Sequence, residues 1–175
     1  MTKRAWSIDE VQGWFAGRLP DEWFVAAPVV RVDREEILVV GELTAPDLGE
    51  DASDEARAVA LAARIAGFRE DTRAHRMRLA DQAELLWGRK VSWGARCGTR
   101  EELFTTQGVP VMTRLRFDER AVLDTLIEAG VARSRSEALA WCVRLVGRHQ
   151  ADWIDQLRDA MAKVAEVRAD GPTLD

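Results

Sequence analysis

Arg69, Arg73 and Arg76 recur at i, i+4 and i+7, so any helix that carries them presents all three on one face. With Arg78, His75 and the Arg89-Lys90 pair nearby, that face is a candidate phosphate-binding surface. The plainer reading is a solvated helix face with i,i+4 partners. A second basic group lies in Val111-Met112-Thr113-Arg114-Leu115-Arg116-Phe117, which alternates strictly. A strand there puts Met112, Arg114 and Arg116 on one side and Val111, Thr113, Leu115 and Phe117 on the other. Residues suited to catalysis are sparse. His75 and His149 have no nucleophile signature beside them. Cys97 follows Arg96, a neighbour that lowers a thiol pKa, but an inert cysteine at a strand end is the simpler reading. Cys97 and Cys142 make no metal motif, and no phosphate loop or dinucleotide fingerprint occurs. No enzyme, metal or cofactor is expected.

The net charge of −5 conceals a segregation along the 175 residues. Residues 1–60 balance to −7 and residues 61–100 to +5, while residues 112–148 balance to +2. The acidity of the whole argues against a protein that coats any polyanion, so an anion-binding surface has to be a patch. No stretch approaches the roughly 18 uninterrupted apolar residues of a membrane span. Polar Ser7, Asp9 and Glu10 stand where a signal peptide would have its apolar core. A cytoplasmic protein with reduced cysteines and no membrane contact is the expectation.

The elements that must position these groups follow from periodicity. Ser7 with Glu10 makes a capping box for a helix carrying Ile8, Val11, Trp14, Phe15 and Leu19, stopped by Pro20. The runs Val29–Val32 and Ile37–Leu43 around Asp33-Arg34-Glu35-Glu36 suggest a hairpin, the second run buried on both faces. Pro46 to Ser53 reads as an acidic loop. Asp54 to Trp87 reads as one long helix, broken near Gly67, with Val59, Ala63, Ala66, Leu79, Ala83 and Leu86 in its buried stripe. Gly88 ends it, and Lys90–Arg96 is a strand with Val91, Trp93 and Ala95 on one side. Seven tryptophans and no tyrosine suggest that Trp6, Trp14, Trp23, Trp87, Trp93, Trp141 and Trp153 fill core or interface, and an exposed one marks a partner surface.

Beyond a connector the alternating strand leads to Asp118 as an N-cap and a helix with Val122, Leu123, Leu126 and Ile127, stopped by Gly130. Ser134, with Glu137 three residues on, caps a second helix carrying Leu139, Val143 and Val146. A third helix bears Trp153, Ile154, Leu157, Met161 and Val164. One strand and two short helices cannot bury themselves. A two-fold dimer solves this, the strand pairing antiparallel with its copy and Val111, Thr113, Leu115 and Phe117 entering a shared core.

Residues 111–146 resemble a ribbon-helix-helix domain of the Arc, MetJ and CopG kind, in the strand Met112–Phe117, the capping Asp118, Gly130 and the Arg133-Ser134-Arg135-Ser136-Glu137 helix start. The resemblance implies that the paired strands enter the DNA major groove and that Met112, Arg114 and Arg116 read base edges. It also implies a phosphate at the second helix start, held by backbone N–H groups of Ser134, Arg135 and Ser136 with Arg133 or Arg135 adding charge.

The expected fold class is α+β: an α+β domain over 1–98, a connector over 99–110, a ribbon-helix-helix module over 111–148, an extra helix over 149–168 and a frayed tail over 169–175. The expected function is sequence-dependent binding of double-stranded DNA by a homodimer or higher oligomer, as a transcription regulator such as a repressor or as a chromosome-associated protein. The N-terminal domain is then a sensor, an oligomerisation unit or a docking surface for a protein partner. The rival is a dimeric adaptor that uses the module only for assembly.

Overall fold

The computed structural model describes residues 7–49 and 51–169. Trp6 and the tail expected to fray beyond Ala169 lie outside the described residues. The chain is α+β and forms two compact units, Met1–Pro110 and Val111–Asp175.

In the first unit, α1 (Ile8–Arg18) opens with the expected reciprocal cap. The Ser7 Oγ accepts from Glu10 N at 3.1 Å, and the Glu10 carboxylate accepts from Ser7 N at 3.3 Å. Strands β1 (Val29–Val32) and β2 (Glu36–Glu42) form the hairpin. Its turn is held by Asp33 Oδ1, which accepts from the Glu35 and Glu36 amides at 2.8 and 2.7 Å. Two helices follow, α2 (Asp54–Asp71) and α3 (Arg73–Trp87), then β3 (Lys90–Cys97) and β4 (Arg100–Leu103). The sheet order is β1-β2-β3-β4. Both flanking pairs are antiparallel, but β2 and β3 run parallel, joined by the α2–α3 crossover. A central parallel pair explains the nearly continuous apolar run of β2.

Phe15 from α1, Ile37 and Val39 from β2, Ile65 from α2, Leu79 and Ala83 from α3 and Trp93 from β3 meet in one core. Each fully buried large side chain among them contributes roughly 1.5–3 kcal/mol. The Phe15 and Trp93 rings meet edge to face at 5.8 Å.

Several expectations are corrected. The long helix breaks at Thr72, not near Gly67, which lies within α2. Its buried face is Ile65, Thr72, Arg76, Leu79, Ala83 and Trp87, while Val59, Ala63, Ala66 and Leu86 are exposed. Alanines on both sides of α2 left the stripe ambiguous in the sequence. The start of the expected connector is strand β4, an edge strand without the usual apolar alternation. Gly88 does end α3, with φ of 64°.

The second unit contains α4 (Phe117–Glu128), α5 (Arg135–His149) and α6 (Ala151–Ala169). Among the described residues no helix is long and apolar enough to cross a membrane.

Candidate functional site

Local hydrogen bonds fix the second unit. The α4 helix starts one residue before Asp118: the Glu119 carboxylate reaches back to Arg116 N at 2.7 Å, making Arg116 the N-cap and drawing Asp118 into the first turn. Gly130, with φ of 73°, stops α4. Its N–H donates to the Ile127 carbonyl at 3.0 Å and that of Val131 to the Leu126 carbonyl at 2.9 Å, a paired closure that needs the left-handed residue. The Ser134 Oγ caps α5 by accepting from Glu137 N at 3.2 Å. The Glu137 carboxylate accepts from Arg133 N at 2.9 Å, one residue upstream of the usual box. The core between α4 and α5 is small: Leu123, Ala132 and Ala138, with Leu115, Leu126, Ile127, Leu139 and Cys142 against it.

The strand expected over Met112–Phe117 is not formed: residues 111–116 lie outside helix and sheet, the Arg116 carbonyl accepts the first helical bond from Arg120 N at 3.0 Å, and Phe117 opens α4. Met112 is 97% exposed, Val111 82% and Phe117 75%. Arg114, Arg116 and Thr113 are exposed too, and Leu115 alone of the expected dimer core packs onto its own unit. At the start of α5, Arg133, Ser134 and Ser136 are open to solvent, and its first-turn amides have no carbonyl one turn back to bond. Arg135 is committed elsewhere: its guanidinium donates to both carboxylate oxygens of Asp124, at 2.7 and 2.8 Å. That hydrogen bond lowers the Asp124 carboxyl below the usual carboxylate range.

In the first unit the α2–α3 break is built around Arg76. Thr72 Oγ1 donates to the Phe68 carbonyl at 2.5 Å and accepts from Arg76 Nε at 2.9 Å, while a terminal Arg76 nitrogen donates to the Arg69 carbonyl at 2.6 Å. The guanidinium lies 4.8 Å from the Phe104 ring centroid, and that of Arg69 lies 5.7 Å from it. Arg76 is only 7% exposed. Among the described residues no carboxylate pairs with Arg69, Arg73 or Arg76. Burial first, then repulsion from Arg69 and Arg73, lowers the Arg76 pKa to about 10.

The three arginines therefore share a face as the spacing predicts, and they line a cavity of about 330 Å³. Its remaining wall is Met77 and Ala80 of α3, Val91 and Trp93 of β3, and Phe104 with Thr105. The Trp93 indole Nε1 is buried with no hydrogen-bond partner. Strand alternation had already put Val91 and Trp93 on one side. Phe104 carries no periodic signal of its own, because it follows β4, which lacks apolar alternation. Burial raises the pKa of the Cys97 thiol, in keeping with an inert cysteine. Among the described residues no group of His, Cys, Asp and Glu side chains could hold a metal ion.

Two family models match the chain. That of the Rv1265-like protein N-terminal domain covers residues 9–103, and that of the Mb1296 C-terminal domain covers 116–168. Protein Mb1296 of Mycobacterium bovis and protein Rv1265 of Mycobacterium tuberculosis, both described as uncharacterized, are each 53% identical over 161 residues. The match spans 92% of this chain and 70% of each relative. No solved structure matches.

Proposed function

The chain belongs to the Rv1265-like family, and we propose that in this member the C-terminal unit pairs with a second copy and binds double-stranded DNA as a regulator of transcription. The observation that carries this is the uncovered segment that runs into the first residue of α4, with Val111, Met112 and Phe117 at 82%, 97% and 75% exposure beside a core of only three buried residues. Such a segment gains backbone partners and apolar cover together when it pairs antiparallel with its copy across a two-fold axis.

Pairing turns Val111, Thr113 and Phe117 into the shared interior. It turns Met112, Arg114 and Arg116 outward as one row for the major groove. The arginine forks suit guanine O6 and N7, and the Met112 side chain suits a thymine methyl. The helix start at Ser134 and Ser136, with Arg133, receives a backbone phosphate. Arg135 braces α4 against α5 through Asp124, so Arg133 is the arginine that supplies charge to the phosphate. The cytoplasm, where Cys97 and Cys142 stay reduced, is the compartment this reading implies.

The test is anisotropy of a labelled fragment of the protein's own promoter across a salt series, with light scattering of the free protein. Binding that weakens steeply with salt, from a particle of twice 19.6 kDa, is the expected result. A monomer, or no binding at low salt, overturns the reading.

One observation favours the adaptor instead. Trp153, Leu157, Met161 and Val164 form an exposed apolar row along α6. If the dimer forms and DNA does not bind, that row is where a protein partner is to be sought.

A further inference from the structure

The cavity lined by α2, α3, β3 and Phe104 gathers three arginines against a largely apolar wall. Arg69, Arg73 and Arg76 crowd three positive charges around one space with no carboxylate among the described residues to answer them. Arg76 is 93% buried by exposed area, so its charge is unusually costly to leave uncompensated. The fold spends hydrogen bonds from Thr72 and the Arg69 carbonyl to hold that guanidinium in place. Trp93 of β3, itself 4% exposed, contributes to the wall alongside Val91. Three arginine guanidiniums without a carboxylate, lining one cavity, have one missing complement: an anion with several acceptor oxygens.

The rest of the wall narrows the class. Met77, Ala80, Val91 and the Phe104 ring offer apolar contact, and the volume of about 330 Å³ exceeds what a bare phosphate fills. We propose that this cavity binds a small phosphomonoester with an apolar or aromatic body, its phosphate on Arg69, Arg73 and Arg76 and its organic part against Val91, Trp93 and Phe104. A nucleic-acid backbone is a poorer match, because the most buried of the three guanidiniums faces a concavity and not an open surface. The site belongs to the first unit alone and does not depend on the DNA reading of the second.

The experiment is calorimetric titration of the full chain with phenyl phosphate, inorganic phosphate and phenol. It is paired with heteronuclear spectra of the Trp93 indole N–H, assigned by triple resonance. Phenyl phosphate is expected to bind saturably, about tenfold or more tighter than either inorganic phosphate or phenol, and to move the Trp93 resonance. Arg73→Gln, at an exposed position outside the core, should fold normally and weaken that binding about tenfold. Arg76→Gln provides a second, stronger loss. Equal binding of inorganic and phenyl phosphate overturns the organic half of the proposal. Equal binding of phenol and phenyl phosphate, no binding, or binding unchanged in Arg73→Gln overturns the site. An Arg73→Gln that weakens duplex DNA but leaves phenyl phosphate untouched assigns the arginines to DNA and also overturns it.

Discussion

Arg135 and Asp124 join α4 to α5 by two parallel hydrogen bonds of 2.7 and 2.8 Å. The carboxyl is stabilised in its charged form, so its pKa lies below the unfolded value. Its contribution is then complete above the ordinary carboxylate range and is lost as the pH falls through the folded-state pKa. Side-chain carbon NMR should follow Asp124 titrating below an ordinary aspartate, and Arg135→Ala should bring it back up. An unshifted Asp124 in the wild type removes the brace, and with it the reason for preferring Arg133 at the phosphate.

Phe117→Asp and Leu115→Asp should fail differently. Phe117 is 75% exposed in the single chain, so a carboxylate there should leave α4 and α5 folded and abolish the dimer. Leu115 packs on the Leu123 core, so Leu115→Asp should destabilise the unit itself by several kcal/mol. Light scattering with helical circular dichroism separates the two. A Phe117→Asp dimer as tight as wild type refutes the shared core.

Arg114→Ala and Arg116→Ala should keep the dimer and each cost roughly 1–3 kcal/mol at the best DNA site, with relaxed base preference. Arg133→Ala should instead weaken all sequences alike and lower the salt slope by about one contact's worth, near 0.9. Anisotropy against a randomised set of sites measures both.

In the first unit, Arg73→Gln should stabilise the ligand-free protein by about 0.2–0.5 kcal/mol for each like-charge pair it relieves. Denaturant titration at low salt reads the gain. Arg76 has a folded-state pKa lowered to about 10, so its protonated form is disfavoured in the fold and the fold strengthens as the pH rises through that value. Above about 10 the repulsion between Arg73 and Arg76 fades. The advantage of Arg73→Gln should therefore shrink there, and a constant advantage would show that Arg76 keeps its proton above that pH.

Cys97 is fully buried, and burial raises its thiol pKa. Iodoacetamide at neutral pH should leave it unmodified in the native protein and label it after denaturation. Native labelling at a rate matching a free thiol would contradict the buried placement.

What was legible in the sequence was what neighbours along the chain decide. The Ser7 and Ser134 caps and the Gly88 and Gly130 stops depend on groups within a turn. The misread features depend on distant partners. At the Thr72 interruption Arg76 bonds both the Thr72 hydroxyl and the Arg69 carbonyl while stacking on Phe104, contacts that reach beyond the helix. Strand β4 exists because β3 offers an edge, and Arg100 and Glu102 pair along it where apolar alternation would be expected. The shared face of Arg69, Arg73 and Arg76 was legible. The cavity they line was not, because its far wall comes from β3 and Phe104.

The parallel pairing of β2 with β3 closes the longest loop in the sheet. Each flanking hairpin closes over a few residues, but Glu36 meets Lys90 across about 54 positions of chain. That closure carries a larger loop-entropy cost than either hairpin. Val91 and Trp93 sit on the far side of this seam from the first hairpin, and the arginines sit on the crossover that spans it. The cavity therefore does not exist until the seam is shut. Whatever fills it binds finished molecules and holds them finished, so occupancy acts as a latch against reopening and against proteolysis.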